Sequence, residues 1–323
     1  MSPLKQEKRA CKYQAILKAE LLTATGCTEP IAIAYASALA RAALGHMPER
    51  IQVLCSGNIV KNVKSVVVPS TGGLRGIPVA ALIGAIGGDE TACLDVLHAV
   101  NETHLAKVRQ LLADGVCTVE LLDTSEKLLI QIMMQGGGHT SFVEIKGTHT
   151  HVTALKRDGN EQPMPYEAEA NSPDEDLNLD YDSLTIHEIL EYARRADLSQ
   201  LAPILEHQLT CNTRVAFEGL KKEYGLNIGR HLLSRDASTR TRARAMAAAG
   251  SDARMSGCAL PVVINSGSGN QGLTVSIPVA EYAFALGASH EQLLRALVIS
   301  NLTAVHIKHE IGRLSAFCGA VSA

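Results

Sequence analysis

A chain with no tryptophan and only 3% aromatic residues, yet 46% hydrophobic overall, has little choice of core material. Ala, Leu, Val and Ile must fill it, and small side chains of that kind suit closely packed helices. The 323 residues are long enough for a sizeable core and for two structural regions. The pattern along the chain predicts an α+β protein: a helix-rich bundle with a middle α+β region that contains an antiparallel sheet.

Glu7 to Ala24 carries an apolar stripe at spacings of three and four, with Gly26 as a stop. Ile31 to Leu44 is almost wholly apolar and predicts a buried helix, with Thr28 near its N-cap and Pro30 in its first turn. Ile51 to Leu54 and Ser65 to Val68 read as strands around a Ser-Gly-Asn turn. Ile77 to Ile86 reads as a helix, and two more helices are expected up to Ala113. Cys117 to Leu122, Leu128 to Gln135, Ser141 to Lys146 and Thr148 to Leu155 then predict an antiparallel meander. A polar, proline-containing stretch follows. Beyond it Thr185 with Glu188, and later Ser289 with Gln292, spell capping boxes that open helices. The domain reading is therefore 1–47, N-terminal helices packing with the helical domain; 48–160, α+β; 161–182, an acidic linker; and 183–323, helical.

Thirty basic residues against 33 acidic ones, a net charge of -3, leave no electrostatic footprint for a phosphate backbone, so nucleic acid is not an expected partner. No apolar run approaches the ~20 residues of a membrane span, and the amino terminus lacks the apolar segment of an export signal. The expected location is cytoplasmic, with no membrane partner. The eight cysteines are then reduced thiols, scattered without a C-x-x-C pair. A functional reading for any one of them must come from its neighbours.

Four segments have such neighbours. In Thr25-Gly26-Cys27-Thr28-Glu29-Pro30 the thiol lies just before a helix start, where free N–H groups and the helix dipole favour thiolate. Ser56-Gly57-Asn58 with Lys61 and Asn62, and Asn265 to Gly272, are loops whose N–H groups can form a concavity for an anion such as a carboxylate. In Lys308 to Gly319, Cys318 stands, apart from Phe317, among small residues, as a bulky cofactor near the backbone requires. His306, His309 and Glu310 read as a solvated face. His149 and His151 share one strand face but lack further ligands for zinc.

Together, Gly26 to Pro30, Ser56 to Asn58 with Lys61 and Asn62, Gly267 to Gly272, and Gly312 to Ser315 with Cys318-Gly319 resemble the L-cysteine desulfidase family. That family is distantly similar to the iron-sulfur L-serine dehydratases. The resemblance implies a 4Fe-4S cluster with one iron open to a small amino-acid substrate, and β-elimination of hydrogen sulfide from L-cysteine to leave pyruvate and ammonia. It implies no pyridoxal phosphate. It further implies Cys318 as a cluster ligand, Cys27 as a second ligand or as the catalytic acid/base, and Lys308 as a catalytic or charge partner. Thr28, Glu29, Asn58, Lys61, Ser268 and Asn270 fall to substrate binding. Relatives in that family continue past the Cys-Gly motif to further cluster cysteines. The expectation is therefore a truncated chain that holds no stable cluster and does not turn over alone, with the apolar surface around Cys318 covered by a partner such as a second copy in a homodimer. The alternatives are a non-catalytic small-molecule-binding remnant and an L-serine dehydratase-like activity.

Overall fold

The structure, a computed structural model, describes residues 3–164, 179–312 and 318–322. In chain order the elements are α1 (Pro3–Glu20), β1 (Thr23–Thr25), α2 (Thr28–Leu44), β2 (Arg50–Cys55), α3 (Gly57–Val63), α4 (Ile77–Gly87) and α5 (Glu102–Ala113). Then come β3 (Cys117–Leu121), β4 (Leu129–Gly136), β5 (His139–Lys146), β6 (Val152–Arg157) and β7 (Asn160–Glu161). The rest is α6 (Ile186–Arg195), α7 (Ala202–Lys221), α8 (Ile228–Leu233), α9 (Thr239–Met255), β8 (Pro261–Val263), α10 (Gly269–Ala285), α11 (His290–Ile311) and α12 (Gly319–Ser322). This is an α+β fold with an antiparallel run of strands.

The described residues form two compact units: one from residues 3–24, 179–255, 260–312 and 318–322, the other from 25–164 and 256–259. The division falls after Ala24, inside the segment that the sequence reading grouped as 1–47, so that α1 belongs to the helical unit and α2 to the α/β unit. Most of the acidic linker, residues 165–178, lies outside the described residues.

In the α/β unit a six-stranded sheet has the order β3-β2-β4-β5-β6-β7. Alternate residues are buried, as the pleat demands: Ile51, Val53 and Cys55 on β2, Ile130, Ile132 and Met134 on β4, and Val143 and Ile145 on β5. Register aligns Val53 with Ile132, Ile132 with Val143, and Val143 with Leu155, making one apolar row across four strands. Helix α2 covers this face and packs on α4. A Cβ on Gly84 would run into the Ala34 backbone, so the two helices meet at a distance that only glycine permits.

Several expectations fail in this unit. Strand β3 is not part of the meander, because it pairs in parallel with β2. Residues 65–68 form no strand and contribute only an isolated bridge between Val67 and Arg75. The first of the two helices expected before Ala113 is a single 3₁₀ turn, Cys93–Asp95. His149 and His151 lie in the turn before β6, not on a strand, and the His151 ring nitrogen Nδ1 contacts the Lys146 carbonyl at 3.1 Å.

In the helical unit, α6 starts as its cap predicts, with Thr185 Oγ1 accepting the Glu188 N–H and Leu184 and Ile189 both buried. Ser289 and Gln292 form the reciprocal capping box of α11. Helix α9 packs on α7 and α10, and a Cβ on Gly219 would run into the Ala249 carbonyl. Helix α1 ends at Glu20, earlier than Gly26, because the chain turns extended and Leu22 accepts the Ile264 N–H at 2.9 Å. No helix among the described residues is long and apolar enough to cross a membrane.

Candidate functional site

The start of α2 is built around Gly26. Its φ of 66° is left-handed, and a Cβ there would run into the Pro69 ring, so only glycine lets the chain turn into the helix here. Cys27 follows as the N-cap residue, in extended geometry and only 6% exposed. Its side chain does not cap the helix. Instead the thiol donates to Glu29 Oε2 at 3.0 Å, and Thr28 Oγ1 donates to the same oxygen at 3.2 Å. The other oxygen, Oε1, accepts from Asn62 Nδ2 of α3 at 3.0 Å. Glu29 lies in the first turn of α2, where the dipole favours its negative charge. The sequence reading expects a thiolate at Cys27; the geometry instead engages its sulfur as a donor to a carboxylate.

The Ser-Gly-Asn segment after β2 is not a turn between strands. Ser56 is the N-cap residue of α3, which places Asn58 and Lys61 on that short helix, Asn58 half-buried and Lys61 exposed. Cys258 is buried in the same unit.

In the helical unit, the second glycine loop is a tight turn closed by reciprocal backbone bonds between Asn265 and Ser268, at 3.0 and 3.1 Å. Ser266 and Gly267 hold φ values of 48° and 76° to make it. Ser268 then caps α10, its Oγ accepting the Gln271 N–H at 3.2 Å. Asn270 Oδ1 accepts from Arg254 Nη1 at 3.0 Å. Arg254 is 3% exposed and packs so closely on Gly269 that a Cβ there would strike the guanidinium.

Behind the loop, Asn212, Gln208, Asn265, Gln271 and Asn301 are all fully buried. Asn265 Nδ2 donates to Asn301 Oδ1 at 2.9 Å, and Gln271 Nε2 donates to Asn265 Oδ1 at 2.8 Å, so the turn is pinned from below. Lys308 is 3% exposed on the buried face of α11. Gly319 is small because Gln271 Oε1 and the Lys308 side chain press on it, a reason unrelated to any cofactor. Cys318, just before α12, is exposed.

Arg254 and Gln271 carry no role in the sequence reading. Their signal is periodicity. Ala243, Ala247, Gly250 and Arg254 recur at helical spacing on the buried stripe of α9, so an arginine on that stripe is marked as a buried cation.

Comparison with known proteins matches residues 92–323 to the family model described as serine dehydratase alpha chain. The chain belongs to the serine dehydratase alpha chain family. It is 52% identical over 309 residues to the UPF0597 protein of Lachnoclostridium phytofermentans, covering 95% of this chain and 73% of that one. Against the UPF0597 protein of Finegoldia magna the identity is 44%, over 96% of this chain and 74% of the relative. No solved structure matches. This family is serine dehydratase-like, a lyase lineage, and is generally iron-sulfur dependent.

The described residues do not make a cluster site. Among them no group of three or more His, Cys, Asp or Glu side chains is arranged to hold a metal ion. Cys27 and Cys258 belong to the α/β unit and Cys318 to the helical unit, and the Cys27 thiol donates a hydrogen bond to Glu29. His309, read from the sequence as part of a solvated face, contacts Asp182 at 3.1 Å and stacks on Tyr181.

Proposed function

We propose that this chain serves a lyase that removes the β-substituent of a small amino acid, with L-cysteine as the favoured substrate and L-serine as the second. The observation that carries the reading is the thiol–carboxylate pair of Cys27 and Glu29 at the start of α2, in a chain of a lyase lineage.

β-Elimination needs one group to take the α-proton and one to give a proton to the leaving group. A thiol hydrogen-bonded to a carboxylate supplies both. The carboxylate takes the α-proton as the Cα–H bond breaks. Those electrons form the Cα–Cβ double bond, the C–S bond breaks with its pair on sulfur, and the thiol protonates the departing hydrosulfide. Aminoacrylate then hydrolyses to pyruvate and ammonia. Asn62 holds the carboxylate in place, while Thr28, Asn58 and Lys61 are the nearby groups assigned to substrate. No step here runs through an iron-sulfur cluster, because the described residues present no complete ligand set.

That same observation favours a second reading, in which the chain binds a small amino acid without converting it. Anaerobic reconstitution with iron and sulfide, followed by assay of sulfide from L-cysteine and pyruvate from L-serine, separates the two. Turnover that falls on the order of a hundredfold in Glu29→Gln, with the fold intact, supports the lyase. Amino-acid binding without turnover supports the second reading, and turnover unchanged in both Glu29→Gln and Cys27→Ser removes the pair from the mechanism.

A further inference from the structure

Arg254 presents an unusual balance of charge. It is 3% exposed, yet its side-chain hydrogen bonds among the described residues reach only Asn270 and Met255, neither of them a carboxylate. Nη1 donates to the neutral oxygen of Asn270 at 3.0 Å and approaches Met255 Sδ at 3.5 Å, while the buried Nε has no partner. A guanidinium taken out of water without a counter-charge is costly, and its planar fork of donors is matched in geometry to a carboxylate or phosphate. Two further features surround it. The N-terminus of α10, a helix of 17 residues, begins at Gly269 against the guanidinium, and its first-turn N–H groups lack intrahelical acceptors. Gly269 also lets the backbone approach where any side chain would collide.

We infer that Arg254, held by Asn270 at the first turn of α10, is the binding residue for the carboxylate of a small amino or hydroxy acid. The inference rests on the proposed reading only for the size and class of the ligand. The guanidinium offers planar N–H donors that match a carboxylate, and the helix N-terminus adds backbone donors and a favourable dipole. Asn270 is a neutral partner that fixes the fork without neutralising it. A carboxylate in its place would cancel the charge that attracts the ligand.

The test is calorimetric titration of the full chain with L-serine, L-lactate and, as the analogue without a carboxylate, ethanolamine. The wild type is expected to bind L-serine and L-lactate but not ethanolamine. Arg254→Gln should weaken both acids by about tenfold or more, with Arg254→Lys restoring part of the loss. Arg254 is buried, so Asn270→Asp serves as the variant that keeps the fold, because it pairs a carboxylate with the guanidinium; it should weaken acid binding to a similar degree with an unchanged thermal transition. Unchanged affinity in a folded Arg254→Gln or Asn270→Asp, equal binding of ethanolamine, or no binding of either acid by the wild type would overturn the inference. Acid binding lost in these variants from a chain that shows no elimination upholds the site and sinks the lyase. Unchanged binding of both acids in both variants, in a chain that does eliminate, sinks the site and leaves the lyase standing.

Discussion

Asn212→Ala should destabilise the helical unit by about 3 to 5 kcal/mol. Asn212 is fully buried on α7, between β8 and the start of α10. Its Nδ2 lies 3.2 Å from Val263 O, 3.1 Å from Gly272 O and 3.0 Å from Ser276 Oγ, and its Oδ1 accepts the Val263 N–H at 2.8 Å. One amide has two N–H bonds for those three acceptors, so three effective bonds are lost, worth about 1 kcal/mol each. Alanine also strands the Val263 N–H in a dry interior, which adds roughly 1 to 3 kcal/mol; with local relaxation the sum falls in the stated range. Urea unfolding followed by circular dichroism measures it as a lower midpoint at unchanged slope. Asn212→Asp is the control, since it keeps the acceptor for Val263 but sets a carboxylate against two carbonyls, and should be at least as damaging. A loss below about 1 kcal/mol in Asn212→Ala would show that the amide does not tie the glycine loop to α7.

Gly26→Ala should destabilise the α/β unit by about 2 to 4 kcal/mol, measurable by the same unfolding assay, because it combines a left-handed backbone with a collision at Pro69. Burial pushes the Cys55 and Cys117 thiols up to about 12. Each is then a thiolate in only roughly one molecule in ten thousand at pH 8, so iodoacetamide should label exposed Cys11 and Cys318 first and these two only on unfolding, as peptide mass mapping would reveal. Hydrogen bonds from Ser238 and Thr241 hold Asp236 down to about 2, against an ordinary value of 3.8. A depressed carboxyl stabilises the folded state above its unfolded value and loses that contribution as pH falls through the folded one. Thermal unfolding should therefore show wild type and Asp236→Asn converging between about pH 4 and pH 2, with the wild type the more stable above that window.

Local physics made much of this protein legible from its residues. Thr185 with Glu188, and Ser289 with Gln292, satisfy orphan N–H groups within a few residues of themselves, so the starts of α6 and α11 needed no tertiary information. Ile31 to Leu44 had to be a buried helix, and the alternation along β4 and β5 had to be a hairpin over a core. The motif Gly26 to Glu29 likewise pointed to the start of α2. What sequence alone did not decide depends on partners far along the chain. Strand β3 pairs in parallel with β2, some 60 residues earlier, because α3, α4 and α5 intervene and return it to that edge. Cys27 looked like a thiolate at a helix start, yet its chemistry turns on Glu29 and on Asn62 of another helix, which orient the carboxylate that takes its hydrogen bond. Gln208, Asn212 and Asn301 are polar residues that composition assigns to a surface. Only packing puts them on buried faces, because a polar group can leave water when a distant segment supplies its hydrogen bonds, and those segments meet only in the folded chain.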